Sequence, residues 1–414
     1  MFKHQEKRCN AIAWIAKIKG DTIIARTYSG FRRLTASNEI LKSLIKLPLE
    51  SSIVIEGVCS EEEIIVESYR VLNLPKFERR IDYTADLRSV DPVELAKNSH
   101  WYLRNPLWAK ILKIQEHIVN SAREFLHKKG FTELLPLVIS PATDPGLRGA
   151  RKVKACIYGV EHEVSSSIIM YKQATAAVFG KVFFVARNVR EEPPENIISG
   201  RHLVEFTQID LEIANASLND VIDLGEGIVY YICEKTKSNE ELLSGVNDSL
   251  ECFKPPYPRV TYDDALSIVS KLGFNVKWGV ELTSEAEIAL ANYFNSPVWI
   301  TEFPSISRGF YYLQNPRDSR YNVDFNLIMP GVCGEVIDGG LREYTYEKLI
   351  ERIRLHNEPL EKYEWFLDLA KHGGIPPSAG LGLGVERLTM YIAGLRHIAL
   401  ATAFPKLPGL TKTP

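Results

Sequence analysis

The stretch Phe183–Ala214 reads FFVARNVREEPPENIISGRHLVEFTQIDLEIA, and its alternation decides the fold. Two β-like runs, FFVARNVRE and HLVEFTQIDLEIA, flank a polar loop that holds Pro193, Pro194 and Gly200. The pattern predicts a hairpin whose connection is too long for a tight turn. Strand alternation sends Phe206, Gln208, Asp210 and Glu212 to one face, and Thr207, Ile209, Leu211 and Ile213 to the other. One face is therefore core and the other a polar platform. Arg190, Glu192, Arg201 and His202 stand at its loop end. Arginines at the rim of a β-platform suit an anionic, planar ligand such as a nucleotide. A solvated outer face is the bland alternative, but it would not favour Phe206 among the polar positions.

Late in the chain, AGLGLGVERLTMYIAG places Gly380, Gly382 and Gly384 on one side of a strand. The spacing is not that of a dinucleotide-binding loop, and no βαβ unit surrounds it. Bare glycines let a flat ligand approach the backbone, and Arg387 follows at the start of a helix, where an anion would be welcome. Three strand-like runs precede it: PVWITEFPS, YNVDFNLIM and GEVIDGG, with a helix near residues 344–356. Earlier, Asn105 caps a long helix with Pro106 at its first position and Gly130 just past its end. FTELLPLVISPATDPG and IYGVEHEVSSSIIMYKQATAAVFG read as loop-and-strand units, residues 218–237 as a helix, and residues 238–290 as a small helical insertion.

Residues 1–75 carry AIAWIAKI, DTIIART, SSIVIEGV and EEIIVESYRVL, with a helical ASNEILKSLIKL between them. Short strands with one helix predict a small β-barrel of the oligonucleotide/oligosaccharide-binding (OB) type. Residues 76–104 read as a charged, irregular linker, so the catalytic-sized remainder is 105–414. The 414 residues are 45% hydrophobic and 25% charged, with a net charge of −2, which is ordinary globular composition without a global basic signal for nucleic acid. Six scattered cysteines form no CxxC pair; the expectation is neither zinc nor disulfides, and a cytoplasmic location. The opening MFKHQEKRCN lacks an apolar leader, and no 18-residue apolar run predicts a membrane span.

The ordered set FTELLPLVISP, an arginine with a glutamate two residues on, RHLVEFTQIDLE, and GLGLGVERL resembles motifs 1, 2 and 3 of the class II aminoacyl-tRNA synthetases. SSSIIMYKQ, PYPRVTYDDAL, TEFPS and GEVIDGGLRE bring the likeness to the aspartate/asparagine branch. The resemblance implies an α+β catalytic domain, an antiparallel sheet flanked by helices, behind an OB-like barrel. It also implies homodimers, ATP as substrate and Mg²⁺. By the same resemblance Arg190 would hold the α-phosphate and the amino-acid carboxylate, Arg387 the γ-phosphate side, Phe206 would stack on adenine, and Glu192 would meet the adenine amino group. Arg201, His202 and Gly384 join the ATP set; Gln208 and Asp210 would hold the amino acid, with Ser167 and Asp144 beside them. Glu335 would hold the metal. Asn326 occupies a usual metal-binding aspartate, and Asp324, two residues away on the same strand face, is the expected substitute. Lys172 and Arg342 match the pair that clamps a side-chain carboxylate, which implies L-aspartate.

Departures from the family shape the expected reaction. Thr22 and Arg33 fall where an anticodon-stacking aromatic and an anticodon-reading glutamine are usual, and EEPPENIISG is long and acidic for an acceptor-stem loop. Ser166-Ser167-Ile168-Ile169 replaces QSPQ, PPSAG with Ser378 and Ala379 replaces PPHGG, and LLP at Leu134–Pro136 and ATDPG with Asp144 also differ. These, with the terminal FPKLPG, resemble archaeal asparagine synthetases derived from this branch. The leading expectation is thus aspartyl-adenylate formation followed by amidation with ammonia. The alternatives are an aspartyl- or asparaginyl-tRNA synthetase and a non-catalytic tRNA-binding paralogue.

Overall fold

A computed structural model describes residues 7–144, 146, 147 and 149–414. The opening residues 1–6, on which the expectation of no leader partly rests, and Pro145 of the ATDPG loop lie outside the described residues. The chain divides into two units, the first through Lys110 and the second Ile111–Thr413.

In the first unit, β1 (Lys7–Lys19), β2 (Thr22–Thr27), β3 (Gly30–Ala36), β4 (Ser52–Cys59) and β5 (Glu63–Asn73) close a barrel in the order β1-β2-β3-β5-β4, with α1 (Asn38–Ile45) between β3 and β4. β1 is long enough to pair with β4 through its first half and β2 through its second, with a register irregularity between Ile15 and Lys17 where it changes partner. Ala13, Ile15, Ile23, Ala25, Leu34, Ile53, Ile55 and Ile64 alternate inward and fill it with Leu44 of α1. Residues 76–104 belong to this unit and are not structureless: α2 (Pro92–Lys97), capped by the Asp91 carboxylate, and α3 (Ser99–Tyr102) form there.

The second unit is built on an eight-stranded sheet. α4 (Pro106–Lys128) leads in, its start capped by Asn105 Oδ1 accepting from Leu107 N at 2.9 Å. The strand-like run after it is only β6 (Thr132–Glu133) and β7 (Ile139–Ser140), in different sheets. β8 (Lys154–Ile157) and β9 (Val160–Val164) form a small sheet with β7 in the order β7-β9-β8. Next comes α5 (Ile169–Phe179), a helix where a strand was expected. β10 (Lys181–Val189) and β11 (Glu205–Ala214) are the predicted hairpin, paired from Lys181↔Ile213 to Val189↔Glu205. α6 (Leu218–Lys237) follows, then α7 (Glu240–Leu243), β12 (Arg259–Thr261), α8 (Tyr262–Lys271), α9 (Ser284–Phe294), β13 (Val298–Thr301), β14 (Asp324–Met329) and β15 (Gly334–Leu341). α10 (Tyr346–Leu355), α11 (Glu364–Lys371), β16 (Ser378–Gly384) and α12 (Val385–Ala393) complete the set. The sheet order is β12-β13-β14-β15-β16-β11-β10-β6, antiparallel in the middle and parallel at both edge pairs. The region 238–290 is therefore not purely helical, since β12 adds an edge strand.

One face of the sheet is apolar: Ile209, Leu211, Phe325, Leu327, Ile337, Leu381 and Leu383 are fully buried. α6 packs there, so closely that a Cβ on Gly225 would meet Trp299, Leu381 and Ile337 at 3.0–3.4 Å. Trp299 stands edge-on to Phe325 at 5.2 Å and donates its indole N–H to Glu226 at 2.8 Å.

The cysteine expectation is corrected. Cys9 is joined to Cys59, and Cys233 to Cys252. The first pair is 50 residues apart in sequence and meets only because β1 lies against β4, a proximity that motif spacing cannot show. The cysteine argument for a reducing compartment therefore falls. Among the described residues, no helix is long and apolar enough to cross a membrane.

Truncating Trp299 to Ala removes a fully buried ring from the centre of this packing. The expected cost is about 3–5 kcal/mol of unfolding free energy, read by urea titration.

Candidate active site

The opposite face of the sheet carries the chemistry. Antiparallel pairing lines up two rows across four strands. One runs Asn326, Asp338, Gly382, Asp210; the other runs Asp324, Gly340, Gly380, Glu212. The glycines are required by close approach: a Cβ on Gly380 would fall 1.9 Å from Glu212 Oε2, and one on Gly382 3.0 Å from Asp210 Oδ1. Simple alternation would turn Glu335 away from Asp338. The ladder instead shifts register between Leu327 and Ile328, leaving Val336 as an extra residue. That bulge brings Glu335 round to the polar face, where it accepts from Asn326 Nδ2 at 2.7 Å.

Two adjoining cavities open on this face. The larger, about 750 Å³, is lined by Arg190, Glu192, Arg201, His202, Phe206, Glu335, Gly384 and Arg387, among others. The smaller, about 60 Å³, is lined by Asp144, Ser167, Lys172, Asp210, Asp338 and Arg342, among others. Arg190, Gln208, Glu335 and Gly382 border both. Every expected site residue but Asp324 therefore lines one cavity or the other.

In the larger cavity, the Arg190 guanidinium lies 5.1 Å from the Phe206 ring, 3.6 Å from Asp144, and donates to Ser166 O. Arg387 donates to Glu335 O at 2.7 Å and Arg201 O at 3.3 Å. Arg201 is committed to Glu287 at 3.0 Å and to Ser284, so its charge is already balanced. His202 is a neutral ring: burial first, then Arg387, Arg201 and Arg190, push its pKa down to about 3. It shapes the wall without adding a cation. In the loop, Glu191 pairs with Arg151 at the surface and Glu192 accepts from Asn196 at 2.9 Å, so each acid has a partner within the chain.

The smaller cavity rests on buried ion pairs. Lys172, on α5, donates to Asp210 at 3.0 Å and to Leu381 O at 3.2 Å. Arg342 contacts Glu212 through Nε and Nη2 at 3.2–3.3 Å, and Ser378 Oγ donates to Glu212 at 2.8 Å. Gln208 accepts from Asn188 Nδ2 at 2.5 Å, and Asp144 accepts from Tyr311 at 3.0 Å. Two atoms in this cluster are buried without a hydrogen-bond partner: Asp210 Oδ2, an acceptor, and Arg342 Nη1, a donor.

Two expectations are corrected here. Asp324 does not reach either cavity; it accepts from Phe303 N at 2.9 Å and lies 3.4 Å from Arg308 Nε. Three of the substitutions read as a change of reaction, Ser166, Ile168 and Ser378, are absorbed inside the fold, whereas Ser167, Ile169 and Asp144 line the small cavity. Ser166 bonds Thr143 at 2.9 Å, Ile168 packs with Phe184, Ile169 with Phe310, and Ser378 steadies Glu212. Sequence reasoning missed Asp338, Tyr311 and Tyr312 of the small cavity, Arg308, which donates to Asp338, and the wall from Gly279 to Glu287 of the larger one. Asp338 was the most findable, since it shares GEVIDGG with Glu335; only the bulge puts the two on one face.

Glu386, beside Arg387, accepts from Thr207 N at 2.9 Å, and burial lifts its carboxyl to about 7 from the ordinary 4.5. The fold favours the neutral form, so this stabilisation is complete below pH 4.5 and is lost as pH rises through about 7. The stability of the native chain relative to Glu386→Gln should fall across that window by up to about 3 kcal/mol and stay flat above it, measured by urea unfolding at stepped pH.

Comparison with known proteins fits this geometry. The family model for class II tRNA synthetases (D, K and N) matches residues 92–408. The asparagine–tRNA ligase of Pyrococcus furiosus is 32% identical over 410 residues, covering 95% of this chain and 90% of the relative. The crystal structure of asparaginyl-tRNA synthetase from Pyrococcus horikoshii with asparaginyl-adenylate superposes with a TM-score of 0.85 at 28% identity, over 99% of this chain and 96% of that one. The Entamoeba histolytica asparaginyl-tRNA synthetase shares the fold, with a TM-score of 0.83 at 22% identity over 97% and 96% of the two chains. The chain belongs to the class II aminoacyl-tRNA synthetases of the D, K and N group and, with them, to the ATP-dependent ligases.

Proposed function

We propose that the chain activates asparagine as its adenylate and transfers it to tRNA. The observation that carries this reading is the pair of unpartnered atoms in the small cavity. Asp210 Oδ2 can accept from an amino group or an amide N–H, and Arg342 Nη1 can donate to a carbonyl oxygen. Lys172 and Arg342 are already matched by Asp210 and Glu212, so a neutral side chain leaves the buried charges balanced. The asparagine–tRNA ligases among its relatives support the same reading. They lend none to ammonia as acceptor, and that expectation is set aside.

Arg190 borders both cavities and would hold the amino-acid carboxylate against the α-phosphate, while Phe206 offers its ring to adenine. The carboxylate oxygen attacks phosphorus and pyrophosphate leaves in line. Positioning and charge neutralisation supply most of the acceleration, without a protein nucleophile. Arg387 would take the distal phosphates. Glu335, whose carboxylate the bulge turns to the cavity, fits Mg²⁺, and such an ion would add charge neutralisation at the phosphates. On the barrel, Tyr28 is 81% exposed beside Trp14, with Arg26 4.1 Å over the indole. This aromatic and cationic cluster supports a single-stranded RNA contact despite Thr22 and Arg33. Exposed Leu135, Val138 and Ile139 near β6 and β7 support pairing with a second copy.

A second reading, aspartate in place of asparagine, is supported by Lys172, which adds a second cation to the small cavity. ATP–pyrophosphate exchange separates them. Asparagine should exceed aspartate by at least ~10-fold in kcat/KM, and labelled asparagine should become tRNA-bound. Exchange with aspartate alone, or asparagine made from aspartate and ammonium without tRNA, would overturn the proposal.

A further inference from the structure

The metal side of the site poses a charge problem that the ladder answers. Asn326 replaces the expected aspartate and is neutral; its amide donates to Glu335 at 2.7 Å and its carbonyl accepts from Arg308 at 2.9 Å. Asp324 is turned to Arg308 and the Phe303 amide and lines neither cavity. Directly across the β14–β15 ladder from Asn326 stands Asp338, on the same face. It borders the small cavity together with Glu335, next to the bare backbone of Gly382.

We propose that Asp338 supplies, with Glu335, the carboxylates that hold the divalent cation of the nucleotide, the acid having moved across the ladder from position 326 to position 338. The inference rests on reading the larger cavity as the ATP site. Mg²⁺ is commonly held by one or two carboxylates together with substrate phosphates, so a third acidic ligand is not needed. Among the described residues there is no cluster of three or more His, Cys, Asp or Glu that could form a closed metal cage. The supports of Asp338 suit the role. Arg308 donates to one of its oxygens at 2.8 Å and the Tyr312 hydroxyl to the other, which fixes the orientation of the carboxylate. Arg308 is itself buried over the Phe303 ring at 3.7 Å, between Asp324, Asn326 and Asp338, and its charge keeps the carboxylates tolerable before a cation arrives. A residue at 326 that is neutral and at 338 that is acidic preserves the sum of charge on this face.

The test is Mn²⁺ binding to the full chain in the presence of a non-hydrolysable ATP analogue, read by electron paramagnetic resonance without amino acid or tRNA. Asp338→Asn should weaken Mn²⁺ about 10-fold or more, while Asp324→Asn should leave it unchanged. The exchanged double variant Asn326→Asp/Asp338→Asn should recover binding to within about three-fold, because it returns the acid to the other side of the same ladder pair. It also decides the matter should Asp338→Asn fail to fold by circular dichroism, since the exchange keeps one acid beside Arg308. Unchanged Mn²⁺ affinity in a folded Asp338→Asn, loss of Mn²⁺ in Asp324→Asn, or no recovery in the double variant would each overturn the inference. If the native chain binds the analogue but no Mn²⁺, the inference fails alone; if it binds no analogue, the ATP reading fails with it.

Discussion

Four buried charges beneath the small cavity set the conditions for the rest of the fold. Lys172, Asp210, Glu212 and Arg342 are all nearly inaccessible, and each would be intolerable there without its partner. Holding them together requires α5 to approach β11, β16 to be glycine at two positions, and β15 to end where Arg342 can reach Glu212. The apolar face opposite is what anchors those strands. Ile209, Leu211, Leu381 and Leu383 occupy the positions between the polar ones, so the residues that build the core also keep the acids in phase.

How much of this could be read beforehand depends on the range of each signal. The hairpin, the glycine strand, α6 and Arg387 at the start of α12 follow from local alternation and spacing, and the structure has them where the pattern puts them. α5 reads as part of a loop-and-strand unit because its apolar Ile169, Met170, Val178 and Phe179 run nearly all the way round the helix, while its buried face includes the polar Lys172 and Gln173. A short run of that kind shows no helical stripe and mimics a buried strand. β6 and β7 are two residues each, below the length at which any periodicity exists. The disulfides and the fate of Asp324 depend on which strand lies beside which, and that is a property of the sheet and not of any segment.

The same distinction explains the functional correction. Ser166, Ile168, Ile169 and Ser378 differ from the usual family residues, and seen as a string they look like an altered reaction. In space Ser166, Ile168 and Ser378 face Thr143, Phe184 and Glu212, and so exchange one internal packing solution for another, while Ile169, packed with Phe310, also lines the small cavity. A departure near a motif informs about chemistry only when its side chain reaches the cavity. By that measure Lys172, Arg342, Asp144, Ser167 and Ile169 keep their weight, and Ser166, Ile168 and Ser378 lose theirs.

The extra residue at Val336 has a consequence for how this chain can vary. A strand with uniform alternation can lose or gain a pair of residues and keep its facing. Here the two halves of β15 are out of step by one. Glu335 borders both cavities and Asp338 the smaller one, and the extra residue is what lets the two carboxylates share a face. Were the bulge straightened with every residue kept, alternation would turn Glu335 to the face opposite Asp338 and take one carboxylate away from the small cavity.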